Sequence, residues 1–578
     1  MKLVNAAFCI LLSLGSPAAA LPSGAGPTID APVQGPERFL KTSVSFADGK
    51  SSGRLTNGVE YFSGIPFACP PVGDLRLRPP KRLDTKVSHD GTGVSPACPQ
   101  MIISTGNLDF ISKTLGNTLQ IPFLKPLNGK EDCLTISVQR PYGVKAGAKL
   151  PVLYWMFGGG FELGSANTYD ASSLLKAASR QGQPFIFVAV NYRINGFGFM
   201  GGKELQSEGS VNLGHLDQRM GLEWVADNIE EFGGDPDKVT IWGESAGSIS
   251  VYNQMLMYGG NATYKGKPLF RGAIMDSGSG IPVQEADGRH AQEVYDKVVS
   301  RAGCGGETDS LSCLRRVSYD TFYNAVTSLP GIVSYNSVAL AYVPRPDGTV
   351  LPYAPYEAAR RGLFHKVPMI IGDQEDEGTL FALFTNNITN TDRLITYLNE
   401  LYFPHLTRSK IGELADLYPE NAIAGSPFRT GFVNELYPGY KRLAAMLGDL
   451  VFTLARRLSL TLIHEAAPEV PTWSYLSSYY HSLPFMGTFH ASDIAQIFYG
   501  GLFPAATTSA ARTYYFNFLY NLDPNQGVTG NKYWPQWADG KKLMWFKDLF
   551  TLELLPDDFR KSVTDYLQQG DNMKDFSI

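Results

Sequence analysis

Basic clusters, internal repeats, low-complexity stretches and Ser/Pro-rich linkers are all missing from this chain of 578 residues. Its 50 Lys and Arg are scattered among 55 Asp and Glu, for a net charge of −5. No patch of one sign is present to neutralise a phosphate backbone, which argues against a nucleic-acid partner. Charged residues make up only 18% against 44% hydrophobic, so the chain is not disordered and can bury a large core. With nothing to divide it, a single large domain is expected over residues 21–578. Apolar runs are short as well. None reaches the ~20 residues that a membrane span needs, and no transmembrane segment is expected.

Cysteine is scarce too, with six in all. One of them, Cys9, falls in a stretch with the pattern of a secretory leader: Lys2 supplies the charge, residues 6–14 the apolar region and Ala18, Ala19 and Ala20 a small-residue cleavage site. A signal peptide over residues 1–20 and a secreted, extracellular protein are therefore expected. Of the remaining Cys69, Cys98, Cys133, Cys304 and Cys313, four can pair in an oxidising compartment, and spacing alone does not prove which. Two N-x-T sequons, at Asn261 and Asn387, fit glycosylation of a secreted chain.

What is present is organised around residues 238–257. Val239, Thr240, Ile241 and Trp242 are β-branched or aromatic and suit a buried strand, whereas residues 248–257 lack Pro and Gly and can wind as a helix. Between them lies Gly243-Glu244-Ser245-Ala246-Gly247. Such a G-x-S-x-G turn, strand before and helix after, pushes its serine hydroxyl to the top of a sheet as a nucleophile.

A nucleophilic serine needs an oxyanion site, a base and an acid that orients the base. A short apolar strand at 151–157 runs into Gly158, Gly159 and Gly160, and the N–H groups of Gly159, Gly160 and Ala246 are candidate oxyanion donors. Further apolar runs at 185–190, 273–275, 367–371 and 473–476, with a helical pattern at 216–232, give the strand–helix–strand repeat of a parallel sheet. Acidic residues follow the third of these runs: Asp373, Glu375, Asp376 and Glu377. Pattern does not choose among them, and Asp276 is a rival after an earlier strand. Because the acid precedes the base in chain order on such a sheet, the candidate histidines are His405, His464, His481 and His490. His464 ends an apolar helical run that begins near residue 444. His490 lies in a loop before an expected helix capped near Ser492, and its position favours it over His481.

Alternation and turns at Asp48-Gly49 and Asn57-Gly58 predict a small antiparallel sheet over residues 41–61. The stretch from Cys98 to Cys133 is very apolar for a loop. It reads either as a lid over an apolar site or as an ordinary pair of core helices.

The motifs at residues 67–73, 131–134, 157–161, 191–193 and 232–235, the elbow, Asp376-Glu377-Gly378-Thr379 and residues 487–490 together resemble the carboxylesterase/cholinesterase family over nearly the whole chain. Residues 157–164 and 373–379 look most like its fungal lipases and sterol esterases. The resemblance implies an α/β-hydrolase fold, a large, mostly parallel sheet flanked by helices. It implies a triad of Ser245, Glu377 and His490, an oxyanion hole of Gly159, Gly160 and Ala246, and disulfides Cys98–Cys133, closing a lid loop over about 98–133, and Cys304–Cys313. Cys69 stands where the family has an acidic or amide residue.

The expected function is hydrolysis of long-chain carboxylic esters, triacylglycerols or sterol esters, at a lipid–water interface. No cofactor or metal is called for, since no Cys/His spacing suggests one. A short-chain carboxylesterase is the alternative enzyme. A non-catalytic binding module of the same fold is the alternative of another class, and such modules lack a triad residue. The apolar lid rim also offers a surface for a second copy of the chain.

Overall fold

The structure, a computed structural model, describes residues 40–101, 127, 129–501 and 505–578. The expected leader and the interior of the 98–133 loop lie outside the described residues.

Thirteen strands form one sheet. In chain order they are β1 (Leu40–Phe46), β2 (Gly49–Thr56), β3 (Val59–Pro66), β4 (Val87–Asp90), β5 (Thr135–Pro141), β6 (Leu150–Met156), β7 (Ile186–Val190), β8 (Gly234–Glu244), β9 (Gly272–Asp276), β10 (Met369–Gln374), β11 (Thr472–Ser477), β12 (Lys542–Phe546) and β13 (Leu552–Pro556). They lie side by side as β1-β2-β3-β5-β7-β6-β8-β9-β10-β11-β12-β13, with β4 beside β2. From β7 to β12 every neighbouring pair is parallel. That is why these runs read as unbroken apolar segments: a parallel strand covered by helices on both faces has no solvent side to alternate toward. All five residues of β7 and all six of β10 are buried.

The first three strands pair antiparallel, and Asn57 and Gly58, at φ 52° and 77°, form the tight turn between β2 and β3. β3 then pairs with β5, so the expected small sheet runs on into the large one. Between sheet and helices, Trp242 packs edge-on to Trp155 at 4.5 Å and stacks on Phe498 at 4.7 Å. Each such buried aromatic contributes about 1.5–3 kcal/mol through the area it removes from water.

Helix α1 (Ala246–Gly260) follows β8, and its regular path ends at Leu256 because Met257, Tyr258 and Gly259 are non-helical. The apolar run toward His464 is two helices, α2 (Tyr440–Gly448) and α3 (Leu454–Ala466), joined by a π-helical turn at Asp449–Thr453. Both disulfides are formed, Cys98–Cys133 across 35 residues and Cys304–Cys313 across nine, leaving Cys69 free and half-buried. Among the described residues no helix is long and apolar enough to cross a membrane.

Candidate active site

Loops after β6, β8, β9, β10 and β11 follow the C-terminal ends of these strands, and they carry Gly158, Gly159, Gly160, Ser245, Glu377 and His490. Ser245 sits between β8 and α1 at φ 57°, ψ −125°, a strained conformation that costs on the order of 1–3 kcal/mol. Its N–H is held by the Asp276 carbonyl at 2.9 Å. The elbow glycines are needed for closeness: a Cβ on Gly247 would lie 2.0 Å from the Met156 carbonyl oxygen. Gly158 comes as near to the serine, since a Cβ there would meet Ser245 Cβ at 2.9 Å. The glycine loop thus lies directly against Ser245, and Ala246 opens α1 with its N–H among the unpaired amides of a helix start.

His490 is buried in the loop after β11. Its Nδ1 lies 2.5 Å from Glu377 Oε2, and Glu377 Oε1 accepts the Gln374 N–H at 2.7 Å. The two loops are tied by the neighbouring carboxylate. Asp376 Oδ2 accepts the Thr488 N–H at 3.0 Å, while Oδ1 accepts the Ser426 hydroxyl at 2.9 Å and the Phe428 N–H at 2.8 Å. Phe452, in the π-helical turn, and Phe381 pack on the imidazole at 4.4 and 5.0 Å. Before the loop that carries Glu377, fully buried Arg456 donates to Asp373 at 2.6 Å and twice to Asp557 at 2.9 Å.

The other candidates are placed elsewhere or otherwise engaged. Asp276 is saturated, taking the Trp242 indole N–H at 2.7 Å and the hydroxyls of Tyr515 and Tyr475 at 2.7 and 3.0 Å, and burial pushes its carboxyl up to about 6. Glu375 is clamped by Arg429 through two bonds of 2.7 and 2.6 Å. His481 lies 3.8 Å from that same carboxylate, His405 is exposed and His464 ends α3. Asn261 and Asn387 are both exposed. Ser492 opens a helix, Ser492–Ile497, but its N-cap is Ala491 in a left-handed conformation with no side-chain cap.

Sequence reasoning overlooked Glu244. Its Oε1 is 3.3 Å from His490 Nε2 without forming a hydrogen bond, and Nε2 has no hydrogen-bond partner among the described residues. Burial, reinforced by Asp493, Glu377 and Asp276, holds the Glu244 carboxyl well above the usual carboxylate range. Its signal was present: an acidic residue two positions past the apolar run Val239–Trp242, directly before Ser245.

The sequence model of the carboxylesterase family matches residues 37–549. This chain belongs to the carboxylesterase family. It is 56% identical over 92% of its length to a secreted triacylglycerol lipase, LIP1, of Gibberella zeae, of which 90% is covered. It is 50% identical over 93% of its length to secreted lipase 1 of Botryotinia fuckeliana, of which 94% is covered. The crystal structure of Aspergillus niger EstA superposes with a TM-score of 0.76 at 26% identity, covering 92% of this chain and 99% of that one. This member of the carboxylesterase family is a carboxylic ester hydrolase with the α/β-hydrolase fold, and the branch read from residues 157–164 and 373–379 is the branch of its lipase relatives.

Proposed function

We propose that this esterase is secreted and hydrolyses long-chain carboxylic esters, triacylglycerols or sterol esters, through an acyl-enzyme on Ser245. What supports the long-chain reading is the 56% and 50% identity to secreted lipases, and a small apolar cavity, flanked by chain neighbours of Gly278 and Phe452, agrees with it. Gly280 and Ile281, two and three residues past the Gly278 that abuts Ser245, line one wall. Leu447, Leu450 and Val451 line another, next to the Phe452 that packs on His490. Its apolar lining suits methylene groups, at about 0.8 kcal/mol per buried CH₂.

In this reading His490 Nε2 takes the Ser245 proton as Oγ attacks the ester carbonyl, and the N–H groups of Gly159, Gly160 and Ala246 receive the oxyanion. His490 returns the proton to the departing alcohol, and water releases the fatty acid by the same steps. Glu377 keeps Nδ1 protonated, so that Nε2 is the basic nitrogen.

The same reading includes a leader at 1–20, one catalytic domain over 21–578, a lid anchored at Cys98–Cys133, glycans on Asn261 and Asn387, and pairing of two copies through the lid rim. Mass spectrometry of the secreted protein tests the first and fourth, and size exclusion with and without detergent tests the pairing. The test of function is hydrolysis of triolein, cholesteryl oleate and a soluble butyrate ester, with Ser245→Ala as the blank. Turnover of the long-chain substrates is expected. Activity confined to the butyrate ester overturns the long-chain reading, and activity surviving in Ser245→Ala overturns the mechanism.

A further inference from the structure

Glu162 follows the glycine loop and is entirely buried, and among the described residues no cation pairs with it. Its Oε2 accepts the Ile332 N–H at 2.7 Å, and its Oε1 has no hydrogen-bond partner among the described residues. Its own backbone oxygen accepts the N–H of Met101, the last residue described before the interior of the 98–133 loop, at 3.0 Å. The glycine loop is itself closed by the Gly159 carbonyl, which accepts the N–H groups of Glu162 and Leu163 at 3.1 and 3.0 Å. In a planar trans peptide the N–H points opposite to the C=O. Fixing the Gly159 carbonyl toward Glu162 therefore aims the Gly160 N–H the other way. Ile332, whose amide Glu162 holds, presses on the same peptide: a Cβ on Gly160 would lie 2.7 Å from Ile332 Cδ1.

We propose that Glu162 is a positioning residue for the oxyanion donors, holding the Ile332 segment against Gly160 so that the Gly160 N–H keeps its aim. The inference rests on the reading of Gly159 and Gly160 as those donors. Burial also pushes the Glu162 carboxyl up to about 8. The titratable groups around it are Tyr342, held far above its ordinary value by burial, and His215, across Phe161, pushed down to about 4 by burial; both are neutral near pH 8. Among the described residues no counter-charge therefore meets the carboxylate that forms as pH rises, and that charge stands two residues from the developing oxyanion and opposes it.

The test compares wild type, Glu162→Gln and Glu162→Ala on a soluble ester and its thionoester, in which sulfur replaces the carbonyl oxygen, from pH about 6 to about 10. Wild type is expected to turn over the thionoester far more slowly than the ester and to lose kcat above pH about 8. The glutamine variant, which still accepts from Ile332 but cannot ionise, should keep kcat within about twofold and lose that alkaline decline. The alanine variant should lose about 10- to 100-fold in kcat at unchanged KM, with a smaller thionoester penalty, a fraction of what removing a donor outright costs. If wild type shows no thionoester penalty, the oxyanion assignment falls and the proposal with it. If the penalty is present but Glu162→Ala keeps full kcat, or Glu162→Gln keeps the alkaline decline, the role of Glu162 alone is overturned.

Discussion

Two carboxyl groups, Asp276 and Glu377, stand at the ends of adjacent parallel strands in the same buried layer, and only one faces a histidine. Asp276 ends β9 with three donors from Trp242, Tyr475 and Tyr515 filling its oxygens. Glu377 follows β10 by three residues, spends one oxygen on its own loop and offers the other to His490. Burial and strand position are shared, so neither distinguishes them. The partners do: a carboxylate saturated by fixed donors braces a fold, and one with an oxygen left over can orient a base.

Glu377→Gln is the sharpest way to break that comparison. Its amide would donate to Nδ1 and shift the imidazole proton to Nε2, so turnover should fall about 10⁴-fold while the unfolding temperature stays near that of wild type. Asp276→Asn should do the reverse. It leaves a buried hydroxyl or indole without its acceptor, costing about 1–3 kcal/mol in a denaturant titration, with near-normal turnover per folded molecule. If the two variants exchanged behaviours, the acid would be Asp276.

Asp376→Asn probes the residue between them in role. An amide facing the Thr488 N–H sets donor against donor, and the His490 loop should shift enough to lower kcat by roughly 10- to 100-fold. Leu450→Trp fills the cavity and should lower kcat/KM on an oleoyl ester by roughly tenfold while sparing the butyrate ester. A uniform loss on both would argue against the cavity as the acyl site. The smallest effect is on stability. Burial raises Asp276 to about 6 and Asp376 to about 8, above the ~3.9 of an unfolded chain. The folded state therefore holds these protons longer, and their contribution is fully present below pH about 4 and lost as pH rises through 6 and 8. The denaturant midpoint should decline across that window, and Asp376→Asn should flatten its upper part.

The elbow was legible in the sequence because its demands are local: a strand, a turn that admits no Cβ at Gly247, and a helix. The strands were legible because burial on both faces leaves no polar alternation to obscure them. A choice between Asp376 and Glu377 was not, since the two are chain neighbours of similar chemistry. What separates their roles is contact with Thr488 and His490, more than 110 residues away along the chain. The π-helical turn escaped for a different reason. One extra residue in a helical turn hardly disturbs an apolar pattern, yet that turn carries Leu450 and Val451 of the cavity together with the Phe452 that packs on the imidazole. The continuity of the first strands with the main sheet likewise depends on a β3–β5 register set between distant segments.

Arg456 gives the chain a direction in time. Its two buried acidic partners lie 83 residues before it and 101 residues after it. Until residue 557 has been delivered, the guanidinium has Asp373 as its only carboxylate, with the Ser474 hydroxyl beside it, and a buried cation left partly unpaired is costly. The strand that leads to Glu377 is therefore fully braced only once Asp557 has emerged, so the nascent chain closes this side of the sheet among its last steps, after Ser245, Glu377 and His490 have all been made.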